Sequence, residues 1–211
     1  MLELDCITYK YPKSTAPVLH GFSARFKRGE ITAVTGKNGC GKTTMTKLLV
    51  GILRPSDGNV RVDGSDTANM DLFEIGQRIG YVFQNPNRQL FCDSVFNEVA
   101  YGLLNMKMDE NHVAHEVGQF LELFDLAQYR QTYPGKLSLG EKQRLVLAAV
   151  LALGTDYIVL DEPTTGLDVR RQQELCDLLI NLRNEKNCGI VVVSHSASFV
   201  ARCADRELVM R

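Results

Sequence analysis

Four short stretches hold residues whose types and spacing could do chemistry. Gly36-Lys37-Asn38-Gly39-Cys40-Gly41-Lys42-Thr43 fits G-x-x-x-x-G-K-[ST] at every defined position. An apolar run precedes it and a helical stretch, Thr44–Ile52, follows. Glycines let the backbone approach phosphate oxygens closely. The loop N–H groups and the helix N-terminus supply partial positive charge. Lys42 adds a full charge against β- and γ-phosphates, and the Thr43 hydroxyl is placed to ligate Mg²⁺. The second stretch, Tyr157–Leu160, is an apolar strand that ends in Asp161-Glu162. Asp161 would hold Mg²⁺, and Glu162 is the candidate general base for an attacking water. The third, Gly189–Val193, ends at Ser194-His195, where a histidine can donate to a γ-phosphate. The fourth, Leu137–Arg144, reads by itself as a helix start with Ser138 as its cap.

These residues need a scaffold that brings strand ends together. Ile31–Thr35, Tyr157–Leu160 and Ile190–Val193 are short and almost wholly apolar, as strands buried on both faces of a parallel sheet are. Near the N-terminus the pattern changes to period two. Leu2, Leu4 and Cys6 alternate with Glu3 and Asp5, Phe22, Ala24 and Phe26 with polar residues, and Val60 and Val62 flank Arg61. That alternation predicts half-buried, antiparallel strands. Val113, Val117, Phe120, Leu121 and Phe124 fall on one helical face, as do Leu175, Leu178, Leu179 and Leu182. Strands alternating with helices predict an α/β fold around a parallel sheet. Residues 84–154 carry helical patterns and no clear strand, which predicts a helical lobe inserted in the core. The lobe's last helix, Gly140–Leu153, is polar at its start and apolar nearly all round afterwards, hence buried for most of its length.

Composition narrows the function classes. The chain has 211 residues, 45 % hydrophobic, and 24 basic against 25 acidic residues for a net charge of −1. A single domain of 1–211, with a lobe, fits that length. There is no room for a full ATPase plus a large accessory domain. A near-neutral balance argues against a nucleic-acid binder. The longest apolar run, Leu145–Leu153, is nine residues, whereas a bilayer span needs roughly 20. Met1-Leu2-Glu3-Leu4-Asp5 lacks the basic and apolar regions of a signal peptide. The six cysteines form no C-x-x-C pair and read as reduced, which places the chain in the cytosol. Cys40, inside the loop, is either a small filler or a thiol activated by the helix N-terminus. His112 and His115 stand at helical spacing, but Asp109, Glu110 and Glu116 around them predict a solvated face rather than a metal site.

Leu137-Ser138-Leu139-Gly140-Glu141 resembles L-S-G-G-Q, the signature of ATP-binding-cassette (ABC) ATPases, and Gly140 lies 21 residues before Asp161. The resemblance covers essentially the whole chain, and other motifs then fall in order. It implies that Tyr11 stacks on adenine. Gln84 would be the Q-loop glutamine that reaches Mg²⁺ and water. Thr165-Gly166-Leu167-Asp168 would be the D-loop, and His195 the switch histidine. Ser138, Gly140 and Glu141 would contact the nucleotide of a second subunit. The chain departs from the pattern at Leu139, where the family has glycine, and at Glu141, where it has glutamine. The implied fold is a RecA-like P-loop core with an N-terminal antiparallel β-subdomain (1–83 and 155–211 together) and the helical lobe of 84–154.

Gln84-Asn85-Pro86-Asn87-Arg88-Gln89-Leu90-Phe91, with Glu98-Val99-Ala100-Tyr101-Gly102 behind it, resembles the energy-coupling-factor (ECF) ATPases of vitamin, cobalt or nickel uptake. The implied activity is hydrolysis of ATP with Mg²⁺, at the cytoplasmic face of the membrane. The implied partners are transmembrane subunits and a second ABC ATPase in a head-to-tail dimer, with no nucleic acid. Two other readings compete: an ATPase of another importer subfamily, and an ATP-gated dimerising module with little hydrolysis. A soluble ABC protein acting on DNA or ribosomes would need a coiled-coil insertion or a tandem cassette. Gln89, Leu90 and Phe91 either line a groove for a coupling helix or belong to the lobe core. Sixteen residues follow His195, too few for the C-terminal dimerising region common in ECF-type ATPases. The expectation is a minimal cassette, a truncated one or half of a fused pair, with weak dimerisation without ATP.

Overall fold

Strand β-branched and apolar residues build two sheets in the computed structural model, which describes residues 1–12 and 14–211. The first sheet is antiparallel and uses the period-two segments: β1 (Leu2–Tyr9), β2 (Leu19–Phe26), β4 (Asp57–Val62) and the two-residue β5 (Ser65–Asp66), in the order β2-β1-β4-β5. The second is parallel, with β3 (Ile31–Gly36), β6 (Ile79–Val82), β7 (Tyr157–Asp161), β8 (Gly189–Val193) and β9 (Arg206–Met210) in the order β6-β7-β8-β3-β9.

The predicted alternation fails at Cys6. Leu2 and Leu4 are buried, Cys6 is exposed, and burial resumes at Ile7 and Tyr9. Cys6 has φ +51°, and the pairing register shifts between Leu4 and Ile7. A β-bulge inserts one residue and moves every later side chain to the other face. Gly58 permits it: a Cβ there would meet the carbonyl oxygens of Asp5 and Cys6 at 2.4 and 2.5 Å.

Both faces of the parallel sheet are covered. Ile158, Leu160, Ile190 and Val192 join a core with the lobe helices, while Tyr157, Val159, Val191 and Val193 join one with the antiparallel sheet and α1 (Lys42–Leu49). This double burial is why those strands read as unbroken apolar runs. Helix α1 starts at Lys42 and stops at Leu49, and Gly51 turns the chain with φ +72°. A short α2 (Leu72–Gly76) begins with an Asp71–Glu74 capping box.

Between β6 and β7 the chain is helical, with α3 (Val95–Asn105), α4 (Glu110–Leu123) and α5 (Leu139–Ala152). Helix α4 buries Val113, Val117 and Leu121 and leaves His112 and His115 exposed, with Asp109 as its N-cap. Helix α5 is buried for most of its length, from Leu145 through Ala148 and again at Val150–Ala152. After β7, α6 (Val169–Lys186) buries Leu175, Leu179 and Leu182, and α7 (Ala197–Cys203) follows β8. No helix among the described residues is long and apolar enough to cross a membrane.

Candidate functional site

The carboxyl ends of β3, β6, β7 and β8 open on one edge, the side of an open α/β sheet where ligands bind. Strand β3 delivers the glycine-rich loop, β7 delivers Asp161 and Glu162, β8 delivers His195, and β6 leads to Gln84. Tyr11, Asn38, Gly39, Gly41, Lys42, Thr43, Thr44, Gln84, Asp161, Glu162 and His195 line one cleft of about 820 Å³. A second cleft of about 1180 Å³ shares Thr43, Gln84 and Asp161 and runs on toward Leu139 and Thr165.

The loop is built to leave its donors free. Gly36 approaches β9 so closely that a Cβ would lie 2.4 Å from the Met210 carbonyl oxygen, and the Cys40 thiol packs inward at 2.9 Å from the same point. Gly41 is the N-cap of α1 with φ +99°, and no side chain caps that helix end. The first N–H groups of α1 therefore lack a side-chain acceptor and face the cleft, an anion-binding arrangement. Lys42 is buried to 8 % exposure. Its ammonium donates to the carbonyl oxygens of Gly36 at 2.8 Å and Lys37 at 3.0 Å. An ammonium has three donors, so one stays available to a phosphate.

Asp161 and Glu162 differ in environment. Asp161 is buried, its Oδ1 has no hydrogen-bond partner, and Oδ2 lies 3.5 Å from the Tyr81 hydroxyl. Burial pushes its carboxyl pKa up, against the pull of the Thr43 hydroxyl, Lys47 and Lys42. An orphaned, buried carboxylate oxygen beside a threonine hydroxyl and an exposed Gln84 is an oxygen-donor set that suits Mg²⁺. Glu162 has φ +55°, a costly conformation for a residue with a Cβ, and its N–H donates to Val193 O at 3.0 Å. That turn aims the carboxylate at the cleft. Its Oε1 is 3.2 Å from His195 Nε2 but out of line for a hydrogen bond, and it has no other partner. Burial raises the Glu162 pKa, with His195 opposing, which makes a stronger base.

Tyr11 stands at the rim, its hydroxyl 3.2 Å from Thr44 Oγ1 and its ring edge-on to Tyr9. Ser138, Gly140, Glu141 and Asp168 lie outside the cleft that holds Lys42. Ser138 caps α5 by accepting from the Glu141 N–H at 3.4 Å, and its own N–H and hydroxyl both donate to Glu141 Oε2 at 2.7 Å. Those bonds hold the Glu141 carboxyl below its usual range. A Cβ at Gly140 would sit 3.0 Å from the Gly166 carbonyl, so the start of α5 packs on the turn before α6. Asp168 caps α6, accepting from the Arg171 N–H at 2.8 Å.

Gln89, Leu90 and Phe91 divide between the two roles open to them. The Gln89 carboxamide bonds to the backbone of Phe83 and Tyr81, and Leu90 packs against the lobe core. Phe91 is 66 % exposed and stacks edge-on with the exposed Tyr101 at 4.8 Å. Beneath it the buried Glu98 accepts from the N–H groups of Phe91 at 3.0 Å and Cys92 at 2.8 Å.

Sequence reasoning passed over Tyr81 and Thr46, and took Glu98 only as part of the subtype motif, not as a buried acceptor. Tyr81 carried a signal, a phenol within an apolar strand, because a buried hydroxyl needs a partner. Burial also pushes its pKa well up, so it remains a donor.

The ABC transporter family pattern matches residues 19–165, most of the chain. The chain belongs to the ABC transporter family. The cassette is 39 % identical over 212 residues to the energy-coupling factor transporter ATP-binding protein EcfA of Methanothermobacter thermautotrophicus, covering all of this chain and 68 % of that protein. Among solved structures it is similar to cbiO1 of Clostridium perfringens, part of the ABC transporter complex cbiONQ, with a TM-score of 0.83, 33 % identity, and coverage of 100 % of this chain and 84 % of that one. It is also similar to the ATP-binding cassette MJ0796, a dimer bound to ADP and Pi, with a TM-score of 0.91, 26 % identity, and coverage of 100 % and 94 %. It spans 80 % of a Pyrococcus horikoshii relative but only 36 % of a longer one from Vibrio vulnificus. The cassette is therefore an ATP-binding ATPase subunit of an ABC transporter.

Proposed function

We propose that this cassette powers a membrane importer of the ECF type, taking up a vitamin or a metal ion. The observation that carries the ATPase part is the convergence of Lys42, Thr43, Asp161, Glu162 and His195 in one cleft while Ser138 and Gly140 stand outside it. A second cassette, facing head to tail, would bring its own signature helix to this cleft. Similarity to EcfA and to cbiO1 supports the ECF assignment.

In this reading the loop N–H groups and Lys42 bind and orient the β- and γ-phosphates, and Tyr11 stacks on the adenine. Thr43, Asp161 and Gln84 would hold Mg²⁺, which when bound offsets charge on the transferring phosphoryl group. Glu162 accepts the proton of the attacking water, and His195 donates to the γ-phosphate. Ser138 and the Gly140 N–H of the facing subunit complete the cage, which requires Ser138 to release its bond to Glu141. Glu141 flanks that nucleotide, and Asp168 lies in the turn joining the two subunits. Closure would move the helical lobe, and with it the exposed Phe91–Tyr101 pair, the surface offered to a transmembrane subunit at the cytoplasmic face. Purification of the native complex and identification of its other subunits tests the assignment. Membrane subunits of an ECF importer are the expected result, and those of an exporter would overturn it.

A further inference from the structure

Three hydroxyl contacts join the two residues offered to Mg²⁺. Thr46 follows Thr43 by one helical turn, and its hydroxyl donates to the Thr43 carbonyl at 3.0 Å. The Tyr81 hydroxyl lies 3.2 Å from Thr46 Oγ1 and 3.5 Å from Asp161 Oδ2. Thr46 is fully buried and Asp161 nearly so, while Tyr81 is half-buried at the wall of the second cleft. Three contacts share two hydroxyl protons. In one arrangement Thr46 donates to Tyr81 and Tyr81 to Asp161. In a second Tyr81 donates to Thr46 and Thr46 to the Thr43 carbonyl. In a third Thr46 donates to that carbonyl and Tyr81 to Asp161, which leaves Thr46 and Tyr81 in contact without a bond. The first arrangement is the one that links Asp161 to α1.

We propose that Tyr81 is a positioning residue for the Mg²⁺ site, tying the Asp161 carboxylate to α1 through Thr46 so that Asp161 and Thr43 are held as one unit. The inference rests on the reading of Asp161 and Thr43 as Mg²⁺ ligands. Oδ2 is held from the β6 side, which leaves the unpartnered Oδ1 for the cation. At 3.5 Å the Tyr81–Asp161 bond is long for a hydroxyl on a carboxylate, so its effect belongs at the lower end of what outer partners of metal ligands contribute.

Binding of fluorescently labelled ADP to the full chain, titrated with Mg²⁺, tests this. Tyr81→Phe keeps the ring and its packing on Phe83 and removes only the hydroxyl. It should raise the half-saturating Mg²⁺ concentration by about tenfold and leave ADP affinity in EDTA unchanged. Thr46→Val should act in the same direction, and the double variant should shift less than the sum of the two in log units. An unchanged or lowered Mg²⁺ requirement in Tyr81→Phe overturns the proposal. Asp161→Asn separates the two levels. If it raises the Mg²⁺ requirement while Tyr81→Phe does not, the positioning role fails and the ligand reading stands. If Asp161→Asn has no effect either, both fall.

Discussion

The two regions that the proposed function assigns to nucleotide are built differently. The loop-and-strand side is poised: one ammonium donor, the uncapped N–H groups of α1 and two buried carboxylate oxygens are left without partners, all on one sheet edge. The signature side is satisfied at its surface: the Ser138 hydroxyl and N–H are both spent on Glu141, and Gly140 rests on Gly166, while its one unpartnered atom, Gln143 Oε1, belongs to a fully buried side chain. Unpaired buried polar atoms cost stability. A surface that carries them has its ligand's chemistry written into it, and one that does not must be remade when the ligand arrives. In the proposed mechanism the first binds nucleotide alone, and the second acts only when another cassette closes on it.

The sharpest way to break this contrast is at Glu162. Glu162→Gln should lower ATP hydrolysis by about 10²–10⁴-fold with ATP binding retained, as steady-state turnover and nucleotide binding will show. Undiminished hydrolysis would remove Glu162 as the base. Lys42→Ala should weaken ATP binding by about 10–100-fold, the loss of one charged hydrogen-bonding partner, measured by fluorescence titration. On the satisfied side, Ser138→Ala should cost about 1 kcal/mol of stability through its lost cap and slow hydrolysis, while single-cassette ATP affinity stays at the wild-type value. A parallel fall in that affinity would erase the distinction between the two regions.

The smallest expected effect lies in the lobe. Burial raises the Glu98 carboxyl pKa above its usual value. A raised folded-state pKa means that Glu98 favours folding below its unfolded pKa and loses that contribution as pH rises through the folded one. Glu98→Gln keeps an acceptor for the Phe91 and Cys92 N–H groups and removes the buried charge. Its melting temperature at neutral pH should exceed wild type by on the order of 2 °C for each half to full kcal/mol relieved, with the difference shrinking toward pH 4. A thermal melt series across pH checks it.

Much of the poised region was legible in the sequence, because both faces of β3, β7 and β8 are buried and the apolar runs survive intact. The loop and the Asp161-Glu162 pair sit at the ends of those runs. The bulge at Cys6 was not legible, since it depends on Gly58 across the sheet. Glu98 was hidden for a similar reason: its burial follows from the 91–92 loop folding back over α3, a contact no local periodicity records. Tyr81 was overlooked although its type signalled a partner, because that partner, Asp161, lies 80 residues away. The Asp71–Glu74 capping box announced α2 in plain spacing and was missed because the helix is only five residues long.

The claim that a second cassette completes the site is tested most directly by sedimentation velocity on Glu162→Gln with and without ATP. Dimers that form with ATP and Mg²⁺, and fail to form when Ser138→Arg is added, are the predicted result. A Glu162→Gln cassette saturated with ATP that stays monomeric at every concentration, alone and beside its native partner cassette, would contradict it.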